Sequence, residues 1–176
     1  RPDFYAAMDA ANIDLKGFTK SFYRSVTGTH LQDVLDTIEY AVTETPAWVE
    51  LTTLLIPGHN DDDAQLHAEC AWIRDHCGVD VPLHFSAFHP AYRMMEVPAT
   101  PLDTLVRARR IAMEEGLQYV YTGNVHHREG DATICPNPGC RTVLIQRDWY
   151  RIELDRLTGG TAGICPDCGA SVAGVW

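Results

Sequence analysis

Two periodicities of hydrophobic and polar residues alternate along the first two thirds of the chain. Short apolar runs rich in β-branched and aromatic residues predict strands at residues 9–15, 47–56, 80–88 and 117–122. Between these runs, apolar residues recur at helical spacing and predict helices at residues 31–44, 62–77 and 101–115. The resulting β-α-β-α-β-α-β order predicts parallel strands joined by right-handed helical crossovers, the arrangement of an α/β fold.

Local signals at the helix starts support these assignments. Thr29 and Gln32 have the spacing of a capping box. Three aspartates at residues 61–63 lie at the N-terminus of the second helix, where the helix dipole favours anions, so helix capping is their simplest interpretation. Thr100 and Pro101 suit the start of the third helix. One side of the second helix is expected to be apolar and is formed by Ala64, Ala68, Ala71 and Trp72. Cys70 and Cys77 are expected to be buried in the same helix.

The end of the chain follows a different pattern, dominated by cysteine. Cys135 and Cys140 bracket one Cys-Pro turn, Cys165 and Cys168 bracket another, and 24 residues that resemble a β-hairpin separate the two turns. Four thiolates in two close pairs suit a tetrahedral ion and predict a zinc ribbon. The four-residue spacing of the first turn is loose for such a site. A rubredoxin-like iron site and a pair of disulfides are the alternatives.

The β-α alternation ends near residues 123–133, which predicts two domains. Residues 1–130 form the α/β domain, and residues 131–176 form the cysteine ribbon. A length of 176 residues with 45% hydrophobic content is enough for one cored domain and a small appendage. A ribbon this short buries little apolar surface, so a bound metal is expected to stabilise it.

Charge and targeting signals narrow the classes of partner. The net charge is −10, from 24 acidic and 14 basic residues, and no block of Lys and Arg occurs. This balance disfavours nucleic acid and anionic membranes as partners. No signal peptide or bilayer-spanning apolar run is present, which favours the reducing cytoplasm and weakens the disulfide alternative. The chain begins with Arg1 rather than Met and is therefore expected to be a fragment.

Polar residues follow each of the four predicted strands. In parallel sheets, functional residues gather at the carboxyl ends of the strands. Lys16 could bind a carboxylate, and Asp14 could orient Lys16 or bind an amine, although a surface ion pair explains both equally well. His89, after the third strand, could bind a ligand or cap the loop before Pro90.

Other polar residues of this edge carry weaker signals. His59 suits an exposed turn. His126 and His127 could ligate a metal, but four cysteines already complete a tetrahedron. Ser86 has no recognisable base in the sequence, so a hydrolase triad is not supported.

Several motifs together resemble the later half of radical SAM enzymes. They are Ile-Asp-Leu-Lys-Gly-Phe at residues 13–18, Leu-Leu-Ile-Pro-Gly-His-Asn-Asp at 54–61, His-Phe-Ser-Ala-Phe-His-Pro at 84–90 and Tyr-Val-Tyr-Thr-Gly-Asn-Val-His at 119–126. They are similar to pyruvate formate-lyase activating enzymes and closer to the radical SAM member of the AmmeMemoRadiSam system. A cysteine ribbon containing Asp148-Trp149-Tyr150 is similar to that subfamily too. The resemblance extends over nearly the whole chain.

The resemblance implies the C-terminal part of a partial (β/α)6 barrel that binds S-adenosylmethionine against a 4Fe–4S cluster. In that family, reductive cleavage of the sulfonium gives methionine and a 5′-deoxyadenosyl radical that abstracts hydrogen from a substrate. The matching positions imply that Asp14 and Lys16 lie near the methionine part of the cofactor. His89 is also placed at the cofactor by its match.

One departure from the family limits what this chain can do alone. The Cys-x3-Cys-x2-Cys motif that holds the cluster does not occur, nor does the glycine-rich motif of an earlier strand. Both are expected before residue 1, so the chain alone is expected to be inactive. A glycyl-radical activase is one candidate for the full-length enzyme, with a protein or small-molecule substrate. The alternative is a non-catalytic protein-binding module that contains a zinc ribbon.

Overall fold

Four parallel strands form the larger sheet, in the order in which they occur along the chain. They are β1 (Ala10–Asp14), β2 (Trp48–Leu55), β3 (Leu83–Ala87) and β4 (Val120–Gly123), and the sheet order is β1-β2-β3-β4. The computed structural model describes residues 2–176, except the side chains of Pro2 and Thr161. The parallel α/β arrangement predicted from the sequence is confirmed.

Five helices accompany this sheet in the described residues. They are α1 (Pro2–Tyr5), α2 (Lys20–Phe22), α3 (Leu31–Thr43), α4 (Asp63–His76) and α5 (Leu102–Glu114). The last three are the predicted crossovers between successive strands. A π-helical turn at Tyr23–Thr27, not predicted, directly follows α2. Within residues 2–176, no helix combines the length and the apolar character that crossing a membrane requires.

The helices cover one face of the sheet. Along β2, the residues Val49, Leu51, Thr53 and Leu55 are buried, whereas the residues between them are partly exposed. The buried strand residues join one core with the apolar sides of the helices, which include Leu35 and Ile38 of α3 and Leu105 and Ile111 of α5. Because side chains of a strand alternate between faces, the partly exposed positions share the opposite face.

The helix-capping predictions have mixed outcomes. Asp62 caps α4 as predicted, because its side chain accepts a hydrogen bond from the backbone N–H of Gln65 at 3.0 Å. The capping box of Thr29 and Gln32 is wrong: His30 precedes α3 and makes no side-chain capping bond, and the hydroxyl of Thr29 lies 2.8 Å from that of Thr27.

The predicted apolar side of α4 is also wrong. Ala64 and Ala68 are exposed, and the buried residues are instead Leu66, Glu69, Cys70 and Ile73. Burial of Cys70 is confirmed, whereas Cys77 is only partly buried. The carboxyl group of Glu69 accepts a hydrogen bond from the Thr53 hydroxyl beneath the sheet, and burial raises its pKa to about 8. A neutral carboxylic acid therefore occupies this core position at neutral pH.

A second compact unit comprises His126–Trp176, and the first ends at Val125. The second unit contains the antiparallel strands β5 (Ala132–Ile134), β6 (Val143–Asp148) and β7 (Arg151–Asp155), in the order β5-β6-β7. The pairing of β6 with β7 confirms the hairpin expected between the two cysteine turns. The predicted division into domains at residues 130 and 131 stays a prediction.

Candidate functional site

The carboxyl end of β1 presents an oppositely charged pair. The Lys16 ammonium lies 2.9 Å from a carboxylate oxygen of Asp14, and the two side chains are 39% and 52% exposed. The backbone N–H of Lys16 donates to the Tyr23 hydroxyl at 3.0 Å. Burial raises the pKa of Tyr23 to about 12, so this hydroxyl stays neutral. The pair therefore stands on a fixed backbone with both charges reachable, an arrangement that can receive the carboxylate and amine of an amino-acid group.

Asn60 connects the ends of β1 and β2 and fixes this backbone. Its side chain is 2% exposed. The amide nitrogen donates to the carbonyls of Lys16 at 2.7 Å and Leu54 at 2.9 Å, and the amide oxygen accepts from the N–H of Ile56 at 2.7 Å. Every one of these partners belongs to a strand end or the loop just after it, so one buried side chain sets the spacing of two strand ends.

Gly17 permits the chain to pass close to this connection. A Cβ atom at Gly17 would lie 2.9 Å from the ring of Phe22 and 3.3 Å from the Cβ of Asn60. The first distance is shorter than real Cβ contacts, so a side chain at this position would push the loop after β1 away from Asn60. The glycine that follows Lys16 is therefore a packing requirement of the site.

Two further polar side chains connect the remaining strand ends. The Thr100 hydroxyl donates to the carbonyl of Leu55 at 2.5 Å and accepts from the N–H of Phe88 at 2.9 Å, which links β2 to β3. Thr100 was expected at a helix start, and it instead has this role in the sheet. The Asn124 side chain donates to the carbonyl of Ala87 at 3.2 Å and links β4 to β3.

His89 lies at the same edge of the sheet as Asp14 and Lys16 but not beside them. It follows Phe88 after β3, it is exposed, and within the described residues it has no hydrogen-bond partner. Strand β2 separates β1 from β3, and neighbouring strands lie about 5 Å apart, so His89 is roughly 10 Å from the β1 end. The structure thus pairs Asp14 with Lys16 and leaves His89 exposed at the end of a different strand.

The sheet face opposite the helices is polar, a feature that our sequence reasoning missed. We call this surface the polar face; its residues include Asn12, Trp48, Glu50, Thr52, His84 and Tyr121. The Thr52 hydroxyl donates to the Asn12 side chain at 3.0 Å, and Glu50 lies 2.8 Å from His84. The alternation of polar and apolar residues within β2 and β3 was the available signal.

The four C-terminal cysteines converge in the second unit. All four sulfur atoms lie within 4.8 Å of one another, and the closest contacts are 3.6 Å for Cys135–Cys168 and 3.8 Å for Cys140–Cys165. A tetrahedron with zinc–sulfur bonds of about 2.3 Å has edges of about 3.8 Å. A disulfide needs about 2.05 Å, and the thiols are free. The group could therefore hold one tetrahedral metal ion.

Residues around the cysteines set their protonation and turn geometry. Hydrogen bonding with the side chain and then the backbone of Thr142 lowers the pKa of Cys140 to about 7. The backbone adopts a left-handed conformation immediately after each turn, with φ of 54° at Arg141 and 76° at Gly169. The loosely spaced first turn therefore ends in the same way as the second, with arginine at the position where the second has glycine.

His59, His126 and His127 do not belong to the four-cysteine group. Among the described residues, the cysteines are the one group of three or more potential ligands close enough to hold a metal. His126 and His127 belong to the same unit but not to this group. His59 is exposed in the turn after β2, as expected.

Comparison with known proteins finds a curated protein and several solved structures that are similar to the chain. No protein-family model matches it. An uncharacterized protein of Methanocaldococcus jannaschii is 42% identical over 165 residues, which cover 94% of this chain and 48% of that protein. The chain thus spans about half the length of the curated relative.

The solved structures are more distant in sequence. A domain of a pyruvate-formate lyase-activating enzyme from Bacteroides vulgatus has a TM-score of 0.57 at 16% identity, covering 66% of this chain and 68% of that one. A radical SAM methyltransferase from Sphaerobacter thermophilus has a TM-score of 0.53 at 16% identity, covering 64% and 33%. The chain therefore has a radical SAM-related α/β fold, followed by a small unit with a four-cysteine group.

Proposed function

We propose that this chain is the C-terminal portion of a radical SAM enzyme and that the end of β1 binds S-adenosylmethionine. The observation that carries the proposal is the Asp14–Lys16 pair, 2.9 Å apart, at the carboxyl edge of a sheet whose fold is shared with radical SAM proteins. Functional groups of parallel sheets gather at this edge. The sequence motifs around both residues also resemble those of the family.

The charges of the pair match the methionine part of the cofactor. Lys16 would bind the carboxylate through a charge-assisted hydrogen bond, and Asp14 would accept a hydrogen bond from the amine. Tyr23 and Asn60 bind the N–H and the carbonyl group of Lys16, so this backbone is already ordered before a ligand binds. His89, exposed at the end of β3, would contact the cofactor from the far side. When bound, the cofactor and a reduced 4Fe–4S cluster supply methionine and a 5′-deoxyadenosyl radical.

The cysteines of this chain do not fit a 4Fe–4S cluster in the first unit. That unit contains Cys70, which is fully buried in α4, and Cys77, which is partly buried. The other four converge on one another in the second unit. The proposal therefore requires cluster ligands from outside these 176 residues, so the chain alone is expected to be inactive.

The four-cysteine group is proposed as a structural zinc site. Its sulfur separations of 3.6 and 3.8 Å match a closed tetrahedron, which leaves no coordination position for a substrate. An iron ion in a rubredoxin-like site is the alternative occupant. Elemental analysis of anaerobically purified protein distinguishes them, with about one zinc per chain expected; iron in place of zinc, or neither metal, would contradict the assignment.

We also propose a class of substrate for the full-length enzyme. Glycyl-radical activation is a candidate, supported by the likeness to a domain of a pyruvate-formate lyase-activating enzyme. The radical SAM member of the AmmeMemoRadiSam system is the subfamily that the sequence motifs favour. The partner would be a protein or a small molecule rather than nucleic acid or a membrane, given the net charge of −10.

Calorimetric titration of the full-length, anaerobically reconstituted protein with S-adenosylmethionine tests the proposal. Lys16→Met should weaken binding about tenfold to a hundredfold, since one charge-assisted hydrogen bond contributes about 1.5–3 kcal/mol. Lys20→Met, an exposed lysine nearby in α2, is the matched control and should bind like wild type. Equal affinity of Lys16→Met and wild type at equal cluster content would refute the role of Lys16.

A further inference from the structure

Glu50 and His84 form an oriented pair on the polar face. His84 Nε2 lies 2.8 Å from one carboxylate oxygen of Glu50, and the other oxygen accepts a hydrogen bond from the Trp48 indole at 3.1 Å. The imidazole stacks on the Tyr121 ring, with centroids 5.0 Å apart and planes inclined by 24°. Three neighbouring strands thus fix one histidine ring in position and orientation.

This geometry selects one tautomer of His84. A carboxylate only accepts hydrogen bonds, so Nε2 carries the proton that points to Glu50. Nδ1 of the neutral ring is then an acceptor. Within residues 2–176, Nδ1 has no hydrogen-bond partner, and the side chain is 30% exposed. Nδ1 is therefore an acceptor whose position is fixed by the Glu50 contact and the Tyr121 stacking.

The charges around His84 define what this acceptor can bind. Glu50 and Asp14 are the acidic residues on this side of the sheet. No lysine or arginine occurs in strands β1 to β4. Lys16, the cation just after β1, is already paired with Asp14. A phosphate or carboxylate would meet repulsion here, whereas a neutral hydrogen-bond donor would not.

We propose that His84 is a substrate-positioning residue whose Nδ1 accepts a hydrogen bond from an amide N–H or hydroxyl group, with Glu50 holding the ring. The inference rests on the proposed function, because it takes the polar face to be the side of the sheet on which the substrate lies. It adds a binding group distinct from the Asp14–Lys16 pair and excludes an anionic group at this position.

Nitrogen NMR of the histidine-labelled chain tests the pair directly. The wild-type ring of His84, assigned with His84→Gln, should show the Nε2–H tautomer, and Glu50→Ala should shift it toward a mixture of tautomers. Titration with N-acetylglycinamide should move the Nδ1 resonance saturably, while acetate and inorganic phosphate should not. The exposed His76 on α4 is an internal control and should not respond.

The opposite results would overturn the inference. A Nδ1–H tautomer, no response to N-acetylglycinamide, or a stronger response to phosphate or acetate would each contradict it. A second measurement separates this inference from the proposed function. In reconstituted full-length protein, absence of 5′-deoxyadenosine in wild type would refute the proposed function and leave the NMR result to decide the role of His84.

Discussion

Removal of the Asn60 side chain is the most informative single change at the edge of the sheet. This residue is 2% exposed and satisfies three backbone groups, the N–H of Ile56 and the carbonyls of Lys16 and Leu54. Asn60→Ala leaves all three without their partner. Because Gly17 brings the chain close to Asn60, water has little room to replace the amide.

The expected cost follows from the number of lost bonds. A typical hydrogen bond contributes about 1 kcal/mol net, and a buried group left unpaired costs about 1–3 kcal/mol. Three bonds therefore give a loss of about 3–5 kcal/mol in the free energy of unfolding. Asn60→Ala should also weaken cofactor binding in the full-length protein, because the Lys16 carbonyl loses its hydrogen bond to Asn60.

Urea denaturation followed by far-UV circular dichroism measures this loss, because the long helices belong to the first unit. His59→Ala, the exposed neighbour, is the control and should change the free energy of unfolding by less than about 0.5 kcal/mol. A loss below about 1 kcal/mol in Asn60→Ala would refute the view that this side chain sets the spacing of the strand ends.

Three further predictions concern the core and the cysteine ribbon. Burial raises the pKa of Glu69 to about 8 from 4.5, so the folded state keeps a proton that the unfolded chain releases. The contribution of Glu69 to stability should therefore be most favourable below pH 4.5 and fall by about 1.4 kcal/mol per pH unit up to about pH 8. Urea titrations of wild type and Glu69→Gln isolate this contribution, and a difference between their free energies of unfolding that does not change with pH would contradict it. Arg141 has a left-handed backbone with φ of 54°, which is strained for a residue other than glycine. Arg141→Gly should therefore raise the free energy of unfolding of the ribbon by about 1 kcal/mol. Thermal unfolding measures this gain, and an unchanged or lower melting temperature would argue against strain at this turn. Cys168→Ser removes one of four ligands and should abolish metal retention by elemental analysis while the helical signal persists; full metal content in this variant would contradict the four-thiolate site.

The sequence was sufficient for the features that depend on local pattern. Apolar runs and helical spacing predicted the four strands, the three crossover helices and their order, because each period is set by backbone geometry within a few residues. The spacing of Cys135, Cys140, Cys165 and Cys168 likewise predicted a converging group, since short turns bring each pair together. The Asp14–Lys16 contact is also local, because the two residues are only two positions apart at the end of β1.

The features that the sequence did not reveal depend on distant partners. Thr100 was expected at a helix start and Asn60 had no assigned role, yet their hydrogen bonds reach 45 and 44 residues along the chain. Glu69 is an acid, so the pattern did not place it in the core, where burial keeps it neutral. The contact of Glu50 with His84 requires the register of β2 against β3, which no local pattern gives.

Formation of 5′-deoxyadenosine tests the central claim most directly. The full-length protein should be reconstituted anaerobically, reduced with dithionite and incubated with S-adenosylmethionine, and the products quantified by mass spectrometry. The proposed function predicts 5′-deoxyadenosine and methionine in equal amounts, with much less of both in Lys16→Met and no change in Lys20→Met. Absence of 5′-deoxyadenosine from wild-type protein with a spectroscopically verified, reduced 4Fe–4S cluster would contradict the claim.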